Sequence, residues 1–393
     1  MKNLIGIIGD CHLGASVKAG SKDPVTGISS RLQDYFNTLI FAIDNLKEKG
    51  CETIVFTGDI FEHRYPQMIQ QQLFSSALRH ALDLGVKKIV IVEGNHDQQR
   101  TSNTSTLAYL DELKLDNIVV ANDMKTIDID GHKLHLFPYR DRRYYGASSY
   151  SEALKYAEAD VQLLAAKNGN KVNLLVGHMA LEGTFFTEEE SELYTDNELM
   201  LLKTYFNPFN LTIMGHVHTP AKISATPPIY YVGSLEKRGA FESHKKSAII
   251  VDLDSKDIQW VELPCRDFYE YNVVLPKSGV DFSKNLYENL DFQIANSHLA
   301  GAIVKVSVRI KSDDIGRYDA DQIRNYFASK NISFCIPPSM YVESDRTSRS
   351  DIKEQVSDTD TWSQYIKQTG LQSDIADRMI EIGNSIIAEK GSE

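Results

Sequence analysis

The chain has 393 residues, 42% hydrophobic and 24% charged, which excludes a fibrous or wholly disordered protein and, at about 150 residues per domain, implies two to three folding units. Its formal net charge of −12 excludes a bulk-basic nucleic-acid binder, but not a nuclease whose bound cations add positive charge. No apolar run approaches the roughly 20 residues of a membrane span. Met1–Asp10 carries a single Lys and enters a strand-like run directly, unlike a signal peptide. The cysteines Cys11, Cys51, Cys265 and Cys335 show neither pairing nor CxxC spacing, so a reducing cytoplasm is expected.

The first two-thirds alternate strand and helix signals. Leu4–Ile8 is a continuous apolar run, the pattern of a strand buried on both faces. Leu32, Tyr35, Phe36, Leu39, Ile40, Ile43 and Leu46 form the i, i+3, i+4 stripe of a helix, which Ser29 or Ser30 caps and Gly50 closes. A strand Thr53–Thr57, a helix near Gln67–Leu84 and a strand Lys88–Val92 follow. Asp130-Gly131 between Thr126–Ile129 and Lys133–Phe137 signals a hairpin. A helix around Ser151–Lys167 precedes strands Val172–Val176 and Leu211–Met214, then Ile229–Val232, Ala248–Asp252 and Ile258–Leu263. After Pro264 the strands Tyr269–Leu275, Ala302–Ile310 and Ile332–Ile336 with a helix Asp319–Ser329 read as a small α+β module. Residues 343–360 are rich in Ser, Thr and Asp and read as a linker to helical segments Thr361–Gln368 and Asp374–Glu389. The second of these carries Ile375, Met379, Ile380, Ile382, Ile386 and Ile387, too apolar on one side to stand free in water.

Strand ends deliver polar residues that packing does not call for: Gly9-Asp10-Cys11-His12, Gly58-Asp59, Gly94-Asn95-His96-Asp97, Gly177-His178 and Gly215-His216-Val217-His218. In Asp10/His12 and His216/His218 the i, i+2 spacing puts both side chains on one side of an extended segment. Sites in open α/β sheets form at the carboxyl ends of strands. Carboxylate, imidazole and amide groups converging there suit divalent Mn, Fe or Zn. One Gly-His pair after a strand is more often a satisfied polar residue than a ligand; the ordered set reverses that weighting. Cys11, turned to the opposite face by alternation, is expected to pack as a small hydrophobe.

The ordered set DCH, GD, GNHD, GH, GHVH resembles the calcineurin-like metallophosphoesterase superfamily. Within it, GDCHLG at Gly9–Gly14, GDIFEHR at Gly58–Arg64, FPYR at Phe137–Arg140 and YVGS at Tyr231–Ser234 are similar to the SbcD-type nuclease family, which includes phage relatives. The resemblance implies an α/β fold, a calcineurin-like sandwich of two mixed sheets flanked by helices over residues 1–262. It also implies a small α+β DNA-capping domain over 263–342, and C-terminal helices over 361–393 that dock an SMC-like ATPase. The activity implied is that of a metal-dependent DNA exo/endonuclease subunit in double-strand-break repair and recombination. The protein would lie in a bacterial or phage-infected host cytoplasm, as a homodimer within a two-plus-two complex and with no membrane.

Carried over by motif, one metal takes Asp10, His12, Asp59 and His218; the other takes Asp59, Asn95, His178 and His216, with Asp59 bridging two divalent ions, Mn2+ being the expected pair. His96 would then stand beside the scissile phosphate as a catalytic residue, with Asp97 orienting it. Where some members place a His three residues after the bridging Asp, this chain has Glu62, with His63 next. Arg100, Arg140, Arg142 and Arg143 are candidate DNA contacts, weighed equally against a solvated loop, and His63 is a candidate contact of lower weight. Lys237, Arg238, Lys245 and Lys246 read as solvated. A phosphatase acting on phosphoprotein or small phosphoesters is the rival; protein phosphatases of the superfamily follow the bridging Asp with Asp-Arg-Gly and use GNHE, unlike this chain. A non-catalytic scaffold is disfavoured because no ligand position is missing.

Overall fold

A computed structural model of the chain describes residues 3–15, 21–98, 105–184, 197–239, 242, 244–274, 282–295, 299–330, 332, 334–336, 338–343, 362–363, 366 and 373–390. It divides into two compact units, Met1–Tyr341 and Val342–Glu393.

In the first unit β1 (Leu4–Ile8) leads to α1 (Ser30–Glu48), β2 (Thr53–Phe56), α2 (Met68–Asp83), β3 (Lys88–Val92), α3 (Ala108–Glu112) and β4 (Ile118–Ala121). Next come β5 (Lys125–Ile129), β6 (His132–Phe137), α4 (Tyr150–Ala165), β7 (Asn173–His178), β8 (Ala180–Leu181), β9 (Met200–Leu201) and β10 (Leu211–Gly215). The strands β11 (Ala221–Ala225), β12 (Pro228–Tyr231), β13 (Ser247–Asp252) and β14 (Ile258–Glu262) complete two six-stranded sheets.

One sheet runs β14-β13-β1-β2-β3-β4 and the other β11-β12-β10-β7-β6-β5. In the first, β1 to β4 are parallel and β13 and β14 close one edge antiparallel. In the second, β12, β10, β7 and β6 are parallel and β11 and β5 close the two edges antiparallel. Side chains alternate between two cores. Ile5, Ile7, Val55 and Val90 pack against Leu134, Leu174, Val176 and Ile213 between the sheets. Ile8, Ile54, Phe56 and Ile89 pack outward on α1 and α2, while Leu175 and Met214 pack outward on α4. This two-sided burial is why the parallel strands read as continuous apolar runs. Cys11 is fully buried in the α1–α2 core, as its place in the alternation implies.

Local signals account for several boundaries. Ser29 caps α1 by accepting from Leu32 N–H. Asp130 and Gly131 have φ of 51° and 85°, the paired positive values of a two-residue hairpin turn, and Ile129 lies opposite His132. The sequence expectation omitted the edge strand β11, whose residues are half-exposed and carry no clear alternation.

A third sheet belongs to the same unit. β15 (Phe268–Val274), β16 (Ile303–Lys311) and β17 (Phe334–Cys335) are parallel, and β18 (Ser339–Glu343) pairs with β16. Tyr271, Val304, Val306 and Val308 pack with Leu286 and Leu290 of α5 (Phe282–Ile294) and with Ile323 and Phe327 of α6 (Ala320–Ser329). Among the described residues of the second unit, α7 (Ser373–Lys390) carries the backbone carbonyl of Met379, which accepts from Trp362 Nε1 at 3.0 Å. Of the expected linker over 343–360, Glu343 ends β18 and the rest lies outside the described residues, as do the side chains of Ile375 and Ile386. No helix among the described residues is long and apolar enough to cross a membrane.

Candidate dinuclear metal centre

The parallel strands of the two large sheets end at one place. β1, β2 and β3 bring Asp10, His12, Asp59, Asn95, His96 and Asp97, and β7 and β10 bring His178, His216 and His218. Close approach makes glycine necessary at two of these ends: a Cβ on Gly94 would stand 2.2 Å from Asp59 Oδ1, and one on Gly58 2.6 Å from His178 Nδ1. His12, Asp59 and His216 themselves hold positive φ of 43°, 49° and 92°. Strained conformations of this kind persist where surrounding contacts over-determine them, and they cluster at functional sites.

The expected ligands form two clusters that meet at Asp59. In one, His12 Nε2 faces His218 Nε2 at 3.0 Å, with Asp10 Oδ2 3.9 Å from the latter. In the other, Asn95 Oδ1 lies 3.0 Å from both His178 Nε2 and His216 Nδ1, which are 3.2 Å apart. Asp59 Oδ2 stands 3.7 Å from His12 Nε2 and 3.4 Å from His178 Nε2, while its Oδ1 accepts from the His96 N–H at 2.8 Å.

Each imidazole has its second nitrogen facing an acceptor. His12 Nδ1 meets Glu62 at 2.9 Å, His218 Nδ1 meets Glu242 at 3.3 Å, His178 Nδ1 meets the Thr57 carbonyl at 2.8 Å, and His216 Nε2 meets Glu198 at 3.2 Å. An acceptor on one nitrogen fixes the proton there and turns the other nitrogen's lone pair inward. Four imidazole nitrogens, two carboxylates and an amide oxygen form a donor set that fits two divalent cations. Charge agrees with that fit. Burial favours a neutral His12, lowering it to about 3, with Arg238 adding to the effect. Burial also disfavours charge on His178, yet Asp59 and Asp10 push it up to about 10, a measure of the negative potential at the centre.

Other expected residues fall outside this set. His96 Nδ1 meets the Glu62 carbonyl, and its ring packs edge-on against His12. Asp97 does not orient it, contrary to the expectation. Its carboxylate accepts instead from Ile60 N–H at 3.1 Å and Gly94 N–H at 3.0 Å, pinning two strand-end loops together. Burial, with Asp59 nearby, raises the Asp97 carboxyl well above the ordinary range.

Arg140 is likewise removed from the expected DNA contacts, because it is 2% exposed and bonded to the Tyr139 and Asn122 carbonyls and to Asp123. Arg143 is exposed and paired with Asp141, Arg142 is half-buried, and His63 is exposed; Arg100 lies outside the described residues. Lys246 is not solvated. It is buried and bonded to the His218 carbonyl and Glu242.

Sequence reasoning missed Glu198, Glu242 and Tyr139, whose hydroxyl donates to Glu198 at 2.6 Å while its ring leans over His216. It noticed Glu62 only as a departure from a motif. None of these follows an apolar run and a glycine, the signal behind the candidate ligands.

The profile of the calcineurin-like phosphoesterase family matches residues 4–220. The SbcD component of the nuclease SbcCD from Staphylococcus saprophyticus is 24% identical over 275 residues, 67% of this chain and 69% of that protein. Its counterpart in Staphylococcus epidermidis is 22% identical over 273 residues, 67% of this chain and 71% of the relative. Among solved structures, a dimetal phosphatase from Danio rerio aligns with a TM-score of 0.39 and 11% identity, covering 66% of this chain and 96% of that one.

Proposed function

This chain belongs to the calcineurin-like phosphoesterase family, and on that premise we propose that it is a metal-dependent DNA exo/endonuclease subunit. It hydrolyses phosphodiester bonds at DNA ends during double-strand-break repair and recombination. The observation that carries the reading is Asp59, whose Oδ2 lies between His12 Nε2 and His178 Nε2 at the join of two donor clusters. Asp10, His12, Asp59 and His218 would hold one cation, and Asp59, Asn95, His178 and His216 the other, with Mn2+ as the expected ion. When bound, such a pair neutralises phosphoryl charge and lowers the pKa of a water for in-line attack.

The protein's own part is positional. Anchored second nitrogens keep the ligand imidazoles turned inward. His96, with Nδ1 on the Glu62 carbonyl, presents Nε2, which in the imidazolium form would give a proton to the departing oxygen. The nuclease choice is supported by the likeness to the staphylococcal SbcD proteins and by GDIFEHR and GNHD in place of the Asp-Arg-Gly and GNHE of protein phosphatases. Arg142, Arg143 and His63 are the phosphate contacts this reading retains among the described residues.

Residues 263–342 act as the DNA-capping domain. The segment 361–393 docks an SMC-like ATPase in a two-plus-two complex, supported by Ile382, which is 54% exposed on α7. Truncation after Glu343 should then abolish co-purification with the ATPase and leave the core's melting temperature unchanged; a large loss of core stability would contradict docking.

The test of the activity is release of nucleotides from linear duplex DNA in manganese, run beside a phosphopeptide and a generic aryl phosphoester. Hydrolysis of DNA supports the reading. Hydrolysis of the phosphopeptide with DNA untouched assigns a phosphatase, and no hydrolysis of any substrate by metal-loaded protein assigns a scaffold.

A further inference from the structure

The two imidazoles of the Asp10 cluster are held by carboxylates that meet on a single residue. Glu62 Oε2 lies 2.9 Å from His12 Nδ1, and Glu62 Oε1 accepts from the Arg238 guanidinium at 2.7 Å. Glu242 Oε1 lies 3.3 Å from His218 Nδ1, and Glu242 Oε2 accepts from the Arg238 backbone N–H at 3.3 Å. The circuit closes where His12 and His218 face each other at 3.0 Å. Arg238 lies between β12 and β13 and belongs to none of the strand ends that carry ligands.

The other cluster is anchored independently. His178 rests on the Thr57 carbonyl and His216 on Glu198, and Asn95 meets both imidazoles through Oδ1. The contacts of Arg238 run elsewhere: its side chain goes to Glu62 and its N–H to Glu242.

We propose that Arg238 is a positioning residue for one of the two metal positions only, setting the His12/His218 pair through Glu62 and Glu242. The guanidinium is permanently charged and its donors are rigidly disposed, so it holds a carboxylate in one place rather than merely near it. With Glu62 fixed, its Oε2 stays 2.9 Å from His12 Nδ1 and opposes rotation of the Nε2 away from His218. Residues that orient ligands in this way are worth roughly ten- to a hundredfold in metal affinity when lost. The proposal rests on the dinuclear reading above, and it adds that the two positions differ in what holds them.

The test is manganese titration of the full chain followed by calorimetry and electron paramagnetic resonance. Wild type should take two ions per chain and show a spin-coupled signal. Arg238→Ala should keep one ion at wild-type affinity and weaken the other roughly ten- to a hundredfold, so that a mononuclear signal dominates at intermediate manganese. Arg238→Lys, which restores a cation opposite Glu62, should recover part of the loss. Two ions at wild-type affinities in Arg238→Ala, or equal weakening of both, overturns the proposal. If Arg238→Ala does not fold, Glu62→Gln serves, with the same selective weakening expected and unchanged binding of both ions overturning it. A wild-type chain that takes fewer than two ions contradicts the dinuclear reading itself, and the proposal falls with it.

Discussion

His12 Nε2 and His218 Nε2 face each other at 3.0 Å, and the Nδ1 of each ring lies close to a carboxylate, Glu62 at 2.9 Å or Glu242 at 3.3 Å. With protons held on both Nδ1 atoms, two lone pairs point at one another. Such an arrangement is unfavourable between two neutral acceptors and is resolved by a cation that both nitrogens coordinate. At His178 and His216, 3.2 Å apart, the charge that Asp59 and Asp10 favour on His178 puts a proton between the rings, a place a cation would take. Opposed donors in both clusters, with Asp59 between them, are the physical basis for two metal positions.

Asp97 separates a structural role from a catalytic one. Its carboxylate satisfies the buried amides of Ile60 and Gly94. Asp97→Ala should therefore destabilise the fold by roughly 2–4 kcal/mol, the cost of two unpaired buried donors. Asp97→Asn, keeping one acceptor, should lose about half of that. Denaturant unfolding measures both, and turnover per folded, metal-loaded molecule should change little. Normal stability with sharply reduced turnover would restore the orienting role.

His96 Nδ1 meets the Glu62 carbonyl, and its ring packs edge-on against His12. His96→Ala should keep both metals and DNA binding while reducing turnover by roughly a hundredfold or more, the scale of a lost general acid. Metal analysis alongside single-turnover kinetics checks it. Loss of an ion in the variant would make His96 a ligand.

A pH dependence of stability is expected from His135, which is buried on β6 with Nδ1 on the Thr126 hydroxyl at 2.9 Å. Burial lowers it to about 4, whereas an unfolded chain protonates near 6.5. Between those values the unfolded state binds a proton that the folded state refuses, so stability is full above about pH 6.5 and falls as pH is lowered toward about 4. His135→Phe should flatten that part of the profile in urea unfolding. An unchanged slope would contradict the assignment.

The sandwich and the strand-end cluster of candidate ligands were readable because both rest on short-range patterns. A buried parallel strand is an unbroken apolar run, and each ligand follows one such run and a glycine, as in Ile54–Phe56 leading to Gly58-Asp59. The residues behind the ligands leave no such trace. Glu62 and Glu242 reach imidazoles from other parts of the chain, and Lys246, read as a solvated charge, is buried because Glu242 and the His218 carbonyl are there to receive it. The partners of Asp97 were hidden for the same reason: adjacency to His96 suggested a pair, while the fold brings the Ile60 and Gly94 amides to its carboxylate. Helix α5 was overlooked although Leu286, Leu290 and Ile294 recur at four-residue spacing, because polar residues dilute the stripe.

The central claim is that the strand-end residues hold two metal ions bridged by Asp59. Metal analysis of manganese-loaded wild-type chain beside Asp59→Asn measures it most directly. Two ions per wild-type chain are expected, with Asp59→Asn folded but unable to hold the pair and inactive on DNA, because the bridging charge is gone. A single ion per wild-type chain, or an Asp59→Asn variant that holds two and still hydrolyses DNA, would contradict it.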